Sequence, residues 1–156
     1  MTRQPEIKMP YRGAGLILMR MDDNGEQRVL LLKGRETCVW SFPKGHPEAE
    51  DRALPLRTAI RETHEETGFV IEKDYTIYNT GLRLRRRHYW IGIMKTDGPV
   101  VIARNEHSDY GWFSWAEICR LYGNMDVQAW IKKMERGLIY RNAVDKHLTS
   151  PRNNVS

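Results

Sequence analysis

Residues 60–69 read IRETHEETGF, setting Glu62, Glu65 and Glu66 within one helical turn and closing the run with Gly68. Side chains three and four positions apart on a helix share a face, so these carboxylates point the same way. Leu56, Ile60 and Thr63 mark another side of that helix. Like charges at this spacing repel each other. The helix must therefore splay its glutamates into water or hold a divalent cation between them. In either case its remaining side needs an apolar partner, which a sheet supplies.

The flanking sequence contains that sheet. RGAGLILMR (12–20) and QRVLLLKG (27–34) are apolar runs around the turn-forming MDDNGE, the pattern of a β-hairpin. CVWSFPKGH (38–46) passes from an extended segment into a Pro- and Gly-containing loop. Residues 52–67 carry the helical pattern, with Asp51 placed to cap it, Pro55 near its first turn and Gly68 as its stop. TIYNTGLRLRRR and RHYWIGIMKT read as two further strands. YGWFSWAEICRLYG passes from a strand into a helix capped by Ser114, with Glu117 completing a capping box. DVQAWIKKMERGL is amphipathic, with Ala129, Trp130, Met134 and Leu138 on its buried side. The order β-β-β-α-β-β-α-α predicts one α/β domain over residues 1–141, its helices packed on a mixed sheet. The polar residues 142–156 are expected to form a flexible tail.

With 156 residues and 40% of them apolar, the chain can bury the core of one soluble domain. It has no apolar run near the ~20 residues of a membrane span, and the residues MTRQPEIKMPYRG lack a signal-peptide core. Cys38 and Cys119 match no metal or redox spacing, as in a reduced, cytoplasmic protein. The net charge of +5 favours a polyanionic ligand such as a nucleotide, RNA or an inositol phosphate. Part of that charge lies in RLRRRH (83–88), where a continuous strand would set Arg83, Arg85 and Arg87 on one face. Such a row suits a second phosphate chain or an RNA backbone, or serves as a solvated basic edge that discourages aggregation.

The glutamate helix ends a longer segment, GHPEAEDRALPLRTAIRETHEETGF (45–69), which resembles the Nudix box of the Nudix hydrolases. In that signature a glycine is followed after five residues by a glutamate. Seven residues later comes Arg-Glu-aliphatic-any-Glu-Glu-any-Gly-aliphatic. Gly45, Asp51, Arg61, Glu62, Thr63, Glu65, Glu66, Gly68 and Phe69 fill these positions here. Asp51 replaces the usual Glu, and nine residues rather than seven separate it from Arg61. Thr63 and Phe69 also replace aliphatic residues. The insertion should reroute the loop without changing the phase of the glutamates.

The resemblance implies a Nudix fold, a mixed β-sheet sandwiched between α-helices, and hydrolysis of a phosphoanhydride with Mg²⁺ or Mn²⁺. Such ions favour hard oxygen ligands, and Glu62, Glu65, Glu66 and the Gly45 carbonyl are the implied ligands. Arg61 would be an ion-pair partner that orients a glutamate. SFPKGHPE (41–48), HYWIGIM (88–94) and ARNEHSDYGWFSWAEICRL (103–121) are similar to diadenosine tetraphosphate hydrolases. By that likeness Lys44 would contact a substrate phosphate, with His46 beside it. Glu106 would be a metal ligand or general base, and Tyr89 would stack a base. WSFPKG is also shared with mRNA-decapping Nudix enzymes, and the arginine run keeps capped RNA and diphosphoinositol polyphosphates in view as substrates. A Nudix-fold binding module without turnover is the reading from another class.

Overall fold

The computed structural model describes residues 11–137. Strands β1 (Gly13–Met21) and β2 (Gln27–Gly34) form the expected hairpin around the 22–26 turn. Two short strands follow, β3 (Trp40–Ser41) and β4 (Lys44–Gly45), then helix α1 (Pro55–Thr67). Strands β5 (Tyr75–Leu84) and β6 (Arg87–Met94) form a second hairpin, and β7 (His107–Phe113) leads into α2 (Trp115–Arg120) and α3 (Met125–Arg136). All seven strands belong to one mixed sheet ordered β3-β2-β1-β6-β5, with β4 pairing β1 and β7 pairing β2. The parallel β1–β6 pair is its centre.

Residues Ala14 and Leu16 to Met19 of β1 are buried, as expected for a strand covered on both faces. Leu16 and Leu18 join Ala59 of α1, Phe69 and Tyr75 in one core. Ile17 and Met19 join Ile118 of α2 and Val127, Trp130 and Met134 of α3 in the other. The period of two along β1 thus separates two helical layers. The predicted sandwich of helices about a mixed sheet is the architecture found.

Several local expectations hold. Gly68 ends α1 with φ +79, a left-handed value that glycine adopts without steric cost. Ser114 and Glu117 form the reciprocal cap of α2, and Trp130 and Met134 face the core. Ala129 is half-buried, while Leu138, the boundary at residue 141 and the 142–156 tail lie outside the described residues. β4, only two residues long, escaped the sequence order, and the strand read in YGWF before Ser114 is longer than expected, since β7 begins at the polar His107-Ser-Asp.

Three expectations are corrected. Asp51 does not cap α1; Leu54 occupies that position, and Asp51 closes a 3₁₀ turn over Ala49–Asp51. Arg83, Arg85 and Arg87 do not share one face. The chain reverses at Arg85 and Arg86, with Arg85 at φ 57, and Arg83 is paired across the hairpin with His88 and Leu84 with Arg87. Cross-strand partners share a face and successive residues alternate, so Arg83 and Arg87 project to opposite sides. Tyr89 is wholly buried, packed against Phe42 with its hydroxyl on Asp126, and offers no ring face to a base.

Candidate active site

The WSFPKG segment is tied to the central strand. Gly15 and Ala14 pair with Lys44 and Gly45, and the Leu16 amide donates to the Pro43 carbonyl at 3.1 Å. This sets the loop directly over α1. The Lys44 amide then donates to Glu66 Oε2 at 3.1 Å. Gly45 abuts the Glu62 carboxylate so closely that a Cβ there would overlap it. The box glycine is therefore required by the position of a box glutamate.

The two-residue insertion is absorbed between this loop and α1. After the 3₁₀ turn, Arg52 and Ala53 both take left-handed backbone, φ 52 and 56, before Pro55 opens the helix. Arg61 fastens the detour to α1. Its Nε and Nη2 donate to the two carboxylate oxygens of Asp51 at 3.0 and 2.9 Å, and Nη2 also donates to the His46 carbonyl at 2.9 Å. Its Nη1 reaches Glu62 Oε1 at 3.0 Å and Glu65 Oε2 at 3.2 Å. Thr58 donates to Asp51 as well, at 2.6 Å. Hydrogen bonding to Arg61 holds the Asp51 carboxyl down to a pKa of about 2, and the same bond raises that of Arg61. Arg61 thus joins the loop, the turn and two glutamates, consistent with an orienting part.

Of the expected residues, Lys44, Gly45 and His46 from the loop line a cleft of about 360 Å³ with Glu62 and Glu66 from α1. Arg87 and Glu106 close its other sides. Glu65 lies half in solvent, paired to Arg61, and Arg83 and Arg85 line a different groove. His107 is the member that the sequence reading missed. It is 7% exposed, and its Nδ1 is buried without a hydrogen-bond partner. Ligand atoms of Glu66, Glu106 and His107 all fall within 4.8 Å of one another. Its position beside Glu106 at the start of a segment was the available signal, but one histidine in a polar run is weak evidence.

The electrostatics of this cluster suit a cation. Glu66 is 5% exposed, and burial raises its carboxyl to a pKa of about 8. Glu62 is pushed up by burial too, and His107 is pushed down by burial, which leaves its imidazole neutral and able to ligate. The buried Glu66 carboxylate, the half-buried Glu62, the exposed Glu106, an unpartnered ring nitrogen and a glycine cradle form a donor set that fits Mg²⁺ or Mn²⁺, with the histidine more at home on Mn²⁺.

Phosphoanhydride hydrolysis is the chemistry to which this arrangement of loop, helix and acidic cleft points. Residues 9–134 match the NUDIX domain family, and the chain belongs to it: it is a Nudix hydrolase. It is 30% identical over 141 residues to the asymmetrical bis(5'-nucleosyl)-tetraphosphatase of Rattus norvegicus, spanning 80% of this chain and 93% of that one. It is also 39% identical over 70 residues to mRNA-decapping enzyme subunit 2 of Arabidopsis thaliana, spanning 44% of this chain but 16% of that protein. A C. elegans Ap4A hydrolase in binary complex shares the fold, with a TM-score of 0.67 at 21% identity over 83% of this chain and 98% of that one. Hydrolases of this family use divalent metal ions.

Proposed function

We propose that this Nudix hydrolase cleaves a phosphoanhydride in dinucleoside polyphosphates such as diadenosine tetraphosphate. One observation carries the reading. The acidic cleft meets a second cavity at Lys44 and His107, and that cavity, of about 420 Å³, is also lined by Tyr122, Asn124, Met125 and Gln128. Tyr122 is 74% exposed and Met125 57%. An exposed aromatic beside a phosphate site suits a stacked base, and Tyr122 takes the part first given to Tyr89. The relatives named as tetraphosphatases support the same substrate class.

Glu62, Glu66, Glu106, His107 and the Gly45 carbonyl would hold Mg²⁺ or Mn²⁺, with Glu65 reaching in if it leaves Arg61. Bound there, the cation neutralises phosphate oxygens and makes water more acidic. Lys44, Arg87 and His46 orient the phosphate chain. Glu106, or Glu65 once released, takes the proton of the attacking water as its oxygen bonds phosphorus and the bridging P–O bond breaks. The leaving phosphate departs toward Lys44, which offsets its charge.

A capped RNA is the second reading, favoured by the decapping relatives and by the basic hairpin. The deciding experiment offers the protein, with Mg²⁺ or Mn²⁺, diadenosine polyphosphates, capped RNA, inositol pyrophosphates, ADP-ribose and nucleoside triphosphates. Diadenosine tetraphosphate should give the highest kcat/KM. Preference for capped RNA by tenfold or more overturns the first reading, and binding of every ligand without turnover of any overturns both.

A further inference from the structure

The arginines that the hairpin removes from the catalytic cleft are not scattered. Arg83 and Arg85 line an open groove of about 490 Å³ against α3, whose Lys132, Lys133 and Arg136 form the opposite wall. Every titratable group in the lining is a cation. Arg83, Arg85, Lys132 and Arg136 form no ion pair with an acid among the described residues. Concentrating unneutralised cations costs stability by mutual repulsion, a cost that a polyanion would remove.

The groove and the catalytic cleft are lined by cross-strand partners. Leu84 lines the groove, and the cross-strand partner of Leu84 is Arg87, which lines the cleft and is held by Asp126 of α3 at 3.1 Å. From Asp126 to Arg136, α3 rises about 15 Å, at ~1.5 Å per residue. We infer that this groove binds the phosphate backbone of a single-stranded nucleic acid, running along α3 from the cleft toward Arg136. A compact anion would engage one end of such a track, whereas a chain with regularly spaced charges engages all of it. Apart from the alkyl stems of the basic residues, the lining has only Leu84, almost completely buried, and Ala129, so an acidic protein partner finds no large apolar side chain to anchor on. Continuity with the cleft rests on the phosphoanhydride reading above; binding in the groove does not.

The test measures anisotropy of a fluorescein-labelled 12-nucleotide oligouridylate with the full chain, without added metal, at 50 to 200 mM KCl. Single-strand binding should weaken with a log–log salt slope of about −2, the value for three phosphate contacts at ~0.7 each. In the variant Arg85→Gln/Lys132→Gln/Arg136→Gln binding at 50 mM KCl should fall at least tenfold and the slope approach zero. These side chains are exposed, so Tm and diadenosine tetraphosphate turnover should stay within twofold of wild type. Oligodeoxythymidylate should bind within a few-fold of the RNA, because the contacts are to backbone. No wild-type binding, an unchanged slope in the variant, or equal binding of oligoglutamate overturns the inference. Loss of turnover on every nucleotide with groove binding intact would count against the catalytic reading alone.

Discussion

The backbone of Gly45 lies against the carboxylate of Glu62, leaving no room for a side chain on the glycine. A loop residue and a helix residue thus specify each other's position. Gly45→Ala should move the Glu62 carboxylate and the loop apart. The expected result is a loss of ~1–3 kcal/mol of stability from overpacking and a ~10- to 100-fold fall in metal affinity or activity. Manganese titration calorimetry and thermal melting read the two effects separately.

Glu66 and Glu65 should respond differently to the same chemical change. Glu66 is buried and touches the Lys44 amide, whereas Glu65 is half exposed and bonded to Arg61. Glu66→Gln should cut kcat/KM by ~10²- to 10³-fold, the consequence of losing several kcal/mol of metal-borne stabilisation. It should leave stability equal or higher, because a neutral amide is easier to bury than a carboxylate. Glu65→Gln should lower turnover with no change in Mn²⁺ affinity above fivefold. Wild-type rates in both variants would dismiss the mechanism.

Asp51 links the loop to acid stability. Its folded pKa of about 2 lies below its ordinary value of 3.8, so its ion pair stabilises fully above that value and fades as pH falls through about 2. Asp51→Asn should cost roughly 2–4 kcal/mol near neutrality, since Arg61 is left partly buried without its main partner. In urea unfolding the gap between wild type and variant should be constant from pH 7 to 5 and shrink between pH 4 and 2.

Two tyrosines exchange the parts the sequence suggested. Tyr122→Ala should raise KM for diadenosine tetraphosphate by about 5- to 150-fold, equivalent to ~1–3 kcal/mol of stacking, with Tm unchanged. Tyr89→Phe should instead lower stability by ~1–3 kcal/mol, because Asp126, 1% exposed, loses a buried donor. A KM effect confined to Tyr89→Phe would reverse the assignment.

Local chemistry announces much of this protein. The unbroken apolar run of β1 foretells a buried strand, Gly68 and Ser114 foretell helix ends, and the spacing of Glu62, Glu65 and Glu66 foretells the acidic face. Each of these depends on residues a few positions apart, where backbone period and capping chemistry act directly. Arg85 is the instructive miss. The run RLRRRH reads as one strand by composition, but a turn cuts it in two, since left-handed backbone at Arg85 leaves no mark in side-chain chemistry.

What only tertiary structure decided are the meetings of distant segments. Pairing of β4 with β1 sets the loop on α1; pairing of β7 with β2 carries Glu106 and His107 to Glu66; packing of α3 buries Tyr89 under Asp126 and brings Lys132 and Arg136 to Arg85. The chain alone determined that carboxylates would line one helical face, because helical geometry is local. Which other residues complete that site depends on sheet register, and register is settled by the burial of both faces at once.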